Sequence, residues 1–121
     1  MSAKLKRLPE RYQPGFLREL DGRTEISQRL NAVYDRIVAD CGGSNSLSHT
    51  KLALIERFVF LEATLQTWEH AIATDATGSE KLLSRWVQGV NSLQGLARLI
   101  GLDRQSSRVV DLQTYMKERR A

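Results

Sequence analysis

HTKLALIERFVFLEATLQTWEHAIA, residues 49–73, decides the fold. Within it Leu54, Phe58, Leu61, Leu65, Trp68 and Ile72 follow one another at alternating spacings of four and three residues. That recurrence keeps the six side chains on one side of an α-helix, the heptad seam of a helix packed along a long partner. Leu52, Ile55 and Val59 add a second apolar flank. The spacing predicts a helix over 49–73 with Ser48 as its N-cap. Such a helix is about 37 Å long. A chain of this size covers both flanks over that length with difficulty. The excess apolar surface therefore predicts helix–helix association, within a hairpin or between copies.

The flanking segments extend the pattern. Upstream, Ile26, Leu30, Val33 and Ile37 recur at spacings of four, three and four, which predicts a helix over about 22–40. Tyr34, Val38 and Cys41 widen its stripe. Asp21 or Thr24 can cap its start, and Gly42 and Gly43 end it. Downstream, TDATGSE reads as a turn. Leu83, Trp86, Val90, Leu93, Ala97 and Ile100 then predict a helix over 79–100, broadened by Leu82, Leu96 and Leu99, with Gly101 as the residue past its end. Gly89 and Gly95 lie inside this helix at a cost of about 1 kcal/mol each relative to alanine. Either permits close approach of a neighbouring backbone or is tolerated slack. A polar turn, LDRQSSR, precedes a short predicted helix over 111–118 carrying Leu112, Tyr115 and Met116.

The first twenty residues differ. Pro9, Pro14 and Gly15 interrupt any long helix there. Lys4, Lys6, Arg7, Arg11 and Arg18 supply charge, while Leu5, Leu8, Tyr12, Phe16 and Leu17 supply apolar anchors. The expected organisation has three parts: a basic, partly ordered N-terminal arm (1–20), a helical core domain (21–101), and a short helix with a basic tail (102–121). The expected fold class is all-α, a helical bundle with a long antiparallel helix hairpin and no sheet.

Composition agrees with that class. At 121 residues the chain makes one domain with one modest core. Its 41% hydrophobic and 26% charged residues argue against wholesale disorder. No apolar run reaches the roughly 18–20 residues of a membrane span, and the N-terminus has no apolar region of the secretory kind. The single cysteine, Cys41, cannot form an internal disulfide. These features predict a cytoplasmic protein. The net charge of +4 is unevenly spread. Residues 1–23 hold six basic and three acidic groups, 24–79 four and seven, and 80–121 eight and four. Basic ends around an acidic middle suit a polyanion such as nucleic acid, an acidic neighbour such as the middle of another copy, or plain solvation.

Catalytic constellations are missing. His49 and His70 have no carboxylate three residues before them, so the Glu-x-x-His ligand pattern of di-iron bundles is absent. Cys41 stands at the end of a predicted helix, where the dipole disfavours a thiolate. No phosphate-binding glycine loop with its lysine occurs. Glu62 and Glu69 share a helix face beside the seam, about 10 Å apart along the axis. Pairing with Lys or Arg of a neighbour explains them better than acid–base catalysis. Trp68 and Trp86 lie on apolar stripes and read as packing anchors. The chain is expected to be no enzyme and to need no cofactor or metal.

Residues 92–120, SLQGLARLIGLDRQSSRVVDLQTYMKERR, resemble the end of small helical terminase small subunits of phages. Those chains often close with an apolar helix, a Leu-Gly-Leu-like tripeptide and a Ser-Ser-Arg-like polar turn. Here the corresponding pieces are Ile100-Gly101-Leu102 and Ser106-Ser107-Arg108. Ile100 departs from the first position. Asp103-Arg104 stands where the family often has a threonine-proline pair. Over the upstream helices the likeness is one of order and length alone. The resemblance implies DNA packaging in the cytoplasm of a phage's bacterial host: a homo-oligomeric ring that binds double-stranded DNA and hands it to the large ATPase–nuclease subunit. Many relatives begin with a helix-turn-helix, for which residues 1–20 are too short and too proline-interrupted. Binding by this chain is therefore expected through phosphate contacts of basic arms, not base readout.

Lys4, Lys6, Arg7, Arg11, Arg104, Arg108, Arg119 and Arg120 are the expected nucleic-acid contacts. Leu54, Phe58, Leu61, Leu65, Trp68 and Ile72, with Trp86, Val90 and Leu93, are the expected core or oligomer seam. The competing expectation is a helical adaptor or regulator that acts by protein–protein contacts without DNA.

Overall fold

In a computed structural model, the structure describes residues 4–74 and 79–101. Four α-helices follow one another: α1 (Phe16–Glu19), α2 (Glu25–Asp40), α3 (His49–Thr74) and α4 (Ser79–Ile100). A 3-10 turn, Ser44–Ser46, lies between α2 and α3. Among the described residues there is no strand, only an isolated parallel bridge between Leu5 and Leu20. The fold is an all-α helical bundle.

Local chemistry sets the helix ends. Of the two candidate caps, Thr24 is the one used: its hydroxyl accepts from the Ser27 N–H at 3.2 Å. Asp21 instead accepts from the Arg23 backbone and guanidinium. The first predicted helix thus starts at Glu25 rather than near residue 22. At its other end Gly42 (φ 111°) and Gly43 (φ 96°) adopt conformations that side-chain-bearing residues avoid. Their N–H groups return to the Ala39 and Val38 carbonyls at 3.1 and 2.9 Å, satisfying acceptors the helix leaves open. Ser48 caps α3 as expected, accepting from the Lys51 N–H at 3.1 Å. After α4 the Gly101 N–H reaches the Ala97 carbonyl at 2.9 Å.

α3 is the central helix, with α2 and α4 packed on it. Three contacts show that α4 runs antiparallel to α3. Trp86 meets Glu69 and Gly89 meets both Leu65 and Trp68, while Cys41, the residue that ends α2, meets Ile100 through a thiol–carbonyl contact of 3.8 Å.

The core lies where the most layers overlap. Phe16, Leu17 and Leu20 from the N-terminal segment join Leu30, Ile37 and Val38 of α2, Ile55, Val59 and Ala63 of α3, and Ile100 of α4 in one buried cluster. Phe16 and Ile55 are 0% exposed. Tyr12, Phe16 and Phe60 meet edge to face, with ring centroids 5.3–6.1 Å apart. The N-terminal segment, expected as a partly ordered arm with apolar anchors, supplies part of the core. On α3 the deepest residues belong to the flank of Ile55 and Val59 rather than to the heptad seam, of which Leu65 alone is buried.

Candidate functional site

Two surfaces carry the residues singled out from the sequence, and the chain positions each by a different device. The first is the basic N-terminal segment, fixed at two places along its length. At its start the Leu5 N–H donates to the Glu19 carbonyl at 2.7 Å, and the Asp21 N–H donates to the Leu5 carbonyl at 2.6 Å. Further on, one carboxylate oxygen of Glu56 on α3 accepts from both the Tyr12 hydroxyl (2.7 Å) and the Gly15 N–H (2.8 Å). Gly15 sits at φ 81°, in the left-handed region, and so turns the chain into α1. Burial, then the hydrogen bond to Glu56 and its charge, push the Tyr12 phenol up to about 12. The Arg57 guanidinium lies 5.0 Å from the centre of the Tyr12 ring, a cation–π contact.

The fixed segment presents its cations to solvent. Lys4, Lys6, Arg7 and Arg11 are all exposed. Lys4 also donates to the Arg18 carbonyl at 2.7 Å, so its ammonium is held close to the backbone. Lys6 and Arg7 border a cleft of about 510 Å³ whose other walls include Ile26, Thr64 and Trp68. Glu10 on the same segment and the nearby Asp21 temper the positive field. Hydrogen bonds from Arg23 hold the Asp21 carboxyl at about 2, far below its ordinary range. Arg104, Arg108, Arg119 and Arg120, with the short helix expected over 111–118, lie outside the described residues.

The second surface is the α3–α4 hairpin. Trp86, Val90 and Leu93 of α4 are half-buried, as are Leu54, Phe58, Leu61, Trp68 and Ile72 of α3. Gly89 resolves one of the two glycine questions. A Cβ there would stand 2.6 Å from Leu65 Cδ2 and 3.6 Å from Trp68 Cζ3, so its bare backbone lets α4 close on α3. A Cβ at Gly95 would meet nothing within 4 Å, so that glycine is slack. The Trp86 indole N–H donates to Glu69 at 2.9 Å, giving that carboxylate a partner within its own chain. Leu83 and Val87, one helical turn apart, are 48% and 47% exposed, and Leu99 is 68% exposed. Leu83 and Leu99 were both expected on the packed stripe. The face turned to α3 is instead that of Trp86, Gly89 and Leu93, and a residue standing well round the helix from that line meets water.

The sequence reading missed Glu56. Its signal was a carboxylate inside the apolar run Leu52–Phe60, a position that calls for a partner when buried. Comparison with models of known protein families, with characterised proteins and with solved structures finds no match to this chain.

Proposed function

We propose that the chain is a non-enzymatic, DNA-binding subunit of the terminase-small-subunit kind. In this reading copies assemble into a ring through the hairpin face. Basic segments grip the phosphates of double-stranded DNA, and the assembly presents that DNA to a large ATPase–nuclease partner in the host cytoplasm. The observation that carries it is the set of exposed cations Lys4, Lys6, Arg7 and Arg11 on a segment anchored in the core by Phe16, Leu17 and Leu20. Cations held on a fixed backbone lose less freedom on meeting a phosphate than cations on a free tail. The partly exposed seam supplies the surface for self-association.

The test is binding to a short DNA duplex, followed by fluorescence anisotropy across a salt series. If the four cations each neutralise a phosphate, the log–log slope is about −3.6 from them alone. Replacing all four by alanine removes most of that slope. Binding that ignores salt, or a slope unchanged in the variant, overturns the proposal. Light scattering across a dilution series tests the ring, which should persist as a large closed oligomer.

The adaptor reading is favoured by a different observation, the exposure of Leu83, Val87 and Leu99. It expects a stable dimer, or capture of another protein, with no DNA binding even at low salt.

A further inference from the structure

A second cleft is lined by Glu56, the latch that holds Tyr12 and Gly15. Its volume is about 340 Å³, and it is walled by α1 with the segment before it, by α2, and by the first turns of α3. Four of its polar groups matter: Glu56, Arg18, Tyr34 and Asn31. Glu56 is half-buried, and the hydrogen bonds from Tyr12 and Gly15 fall on one of its oxygens. The ion pair found among the described residues joins Arg23 to Asp21, and none reaches Glu56. Its other oxygen accepts no hydrogen bond among the described residues. Arg18 borders the same cleft and remains more than an ion-pair distance from Glu56.

Tyr34 lines the same cleft and is half-buried. Burial raises its phenol, the Glu56 charge raises it further and the Arg18 charge opposes, so the ring feels both ends of the cleft. The Asn31 amide N–H₂ donates to Ser27, which leaves its carbonyl oxygen available. Leu17 and Leu52 supply apolar wall, and His49 stands at the margin.

We propose that this cleft binds a small zwitterion of the amino-acid type, its ammonium on Glu56 and its carboxylate on Arg18. A bare cation would gain Glu56 but would face Arg18. A bare anion would have the reverse difficulty. A molecule carrying both charges satisfies both groups, and charge-assisted hydrogen bonds are the stronger kind. Tyr34 and Asn31 add neutral polar contacts between the charged ends. An aliphatic side chain would lie on Leu17 and Leu52. The proposal does not depend on DNA binding, and none of its residues belongs to the cation set assigned to DNA.

The experiment uses the full chain, followed by amide NMR titration with three probes of like shape. They are L-leucine, 3-methylbutylamine (ammonium alone) and 4-methylpentanoate (carboxylate alone). L-Leucine should bind at least about ten-fold tighter than either single-charge probe, with shifts centred on residues 15–18, 31–34 and 52–56. Arg18→Ala, at an exposed position, should weaken leucine about ten-fold and leave the amine unchanged. Glu56→Gln keeps an acceptor for Tyr12 and Gly15 while removing the charge, and should abolish binding of leucine and amine alike. Three results would overturn the proposal: no saturation by any probe below about 10 mM, amine binding as tight as leucine, or indifference of leucine to Arg18→Ala.

Discussion

The two ends of α3 live in different surroundings. Its first half is enclosed by α2, by the N-terminal segment and by the end of α4, and there Ile55 and Val59 are almost fully removed from water. Its second half has α4 as its main neighbour, and past the buried Ala63 and Leu65 the residues Trp68 and Ile72 are only half-buried. Helix length accounts for the difference. α2 has 16 residues and α3 has 26, so α2 is about 15 Å shorter than its neighbour. Burial in this molecule follows the number of layers over a residue rather than its hydrophobicity. Leu83 and Ile100 lie on one helix, yet one is 48% and the other 1% exposed.

The sharpest way to break that contrast is to empty the enclosed end. Phe16→Ala removes a fully buried ring and should cost about 3–5 kcal/mol, read from urea unfolding by circular dichroism. A loss below about 1 kcal/mol would mean that the N-terminal segment lies on the core without completing it. Next in size is the latch. Tyr12→Phe removes one hydrogen bond to a half-buried carboxylate, worth about 1.5 kcal/mol. The same variant has a pH signature. A phenol ordinarily titrates near 10, whereas Tyr12 is pushed up to about 12 in the fold. Between those values the unfolded chain releases the proton first, so stability present below pH 10 falls as pH rises toward 12. Tyr12→Phe should flatten that alkaline decline without abolishing it, since Tyr34 is raised as well.

Smaller effects sharpen the description of the hairpin. Gly95→Ala should stabilise by about 0.5–1 kcal/mol, because helix propensity is gained in open space. Gly89→Ala should fail to gain it, since the new methyl meets Leu65. Equal gains in thermal melts of the two variants would show that Leu65 yields freely. Smallest of all, Leu83→Ser should shift monomer stability by less than about 0.5 kcal/mol, as for other exposed sites. If the hairpin joins copies, the same substitution lowers the native mass at fixed concentration. An unchanged mass would exclude that part of α4 from the contact.

The parts of the fold that were legible in sequence are the ones written locally. Ser48 caps α3, Gly42 and Gly43 end α2, and Gly101 follows α4, because each acts through backbone groups within a few residues. Helix periodicity marked the apolar faces of α2 and α3, but on α4 it counted Leu83 and Leu99 in a packed stripe although both meet water. It could not say which neighbour each face would find, and so the flank of Ile55 and Val59 became the core while the seam stayed half-open. Phe16 and Leu17 were recognised as anchors, but a four-residue helix after Pro14-Gly15 has no period from which to read their depth. Glu56 was missed because its partners stand 41 and 44 residues away. Of the expected DNA-contacting cations, the N-terminal four are exposed as a contact surface requires.

The core cluster joins Phe16 to Ile100, with residues of α2 and α3 between them. A chain is made from its N-terminus onward, and the ribosome covers the newest stretch of it. Phe16, Leu17 and Leu20 are thus synthesised long before the residues that bury them, and their shelter is finished only when Ile100 is free to dock. The cluster is complete only after nearly the whole helical bundle has emerged.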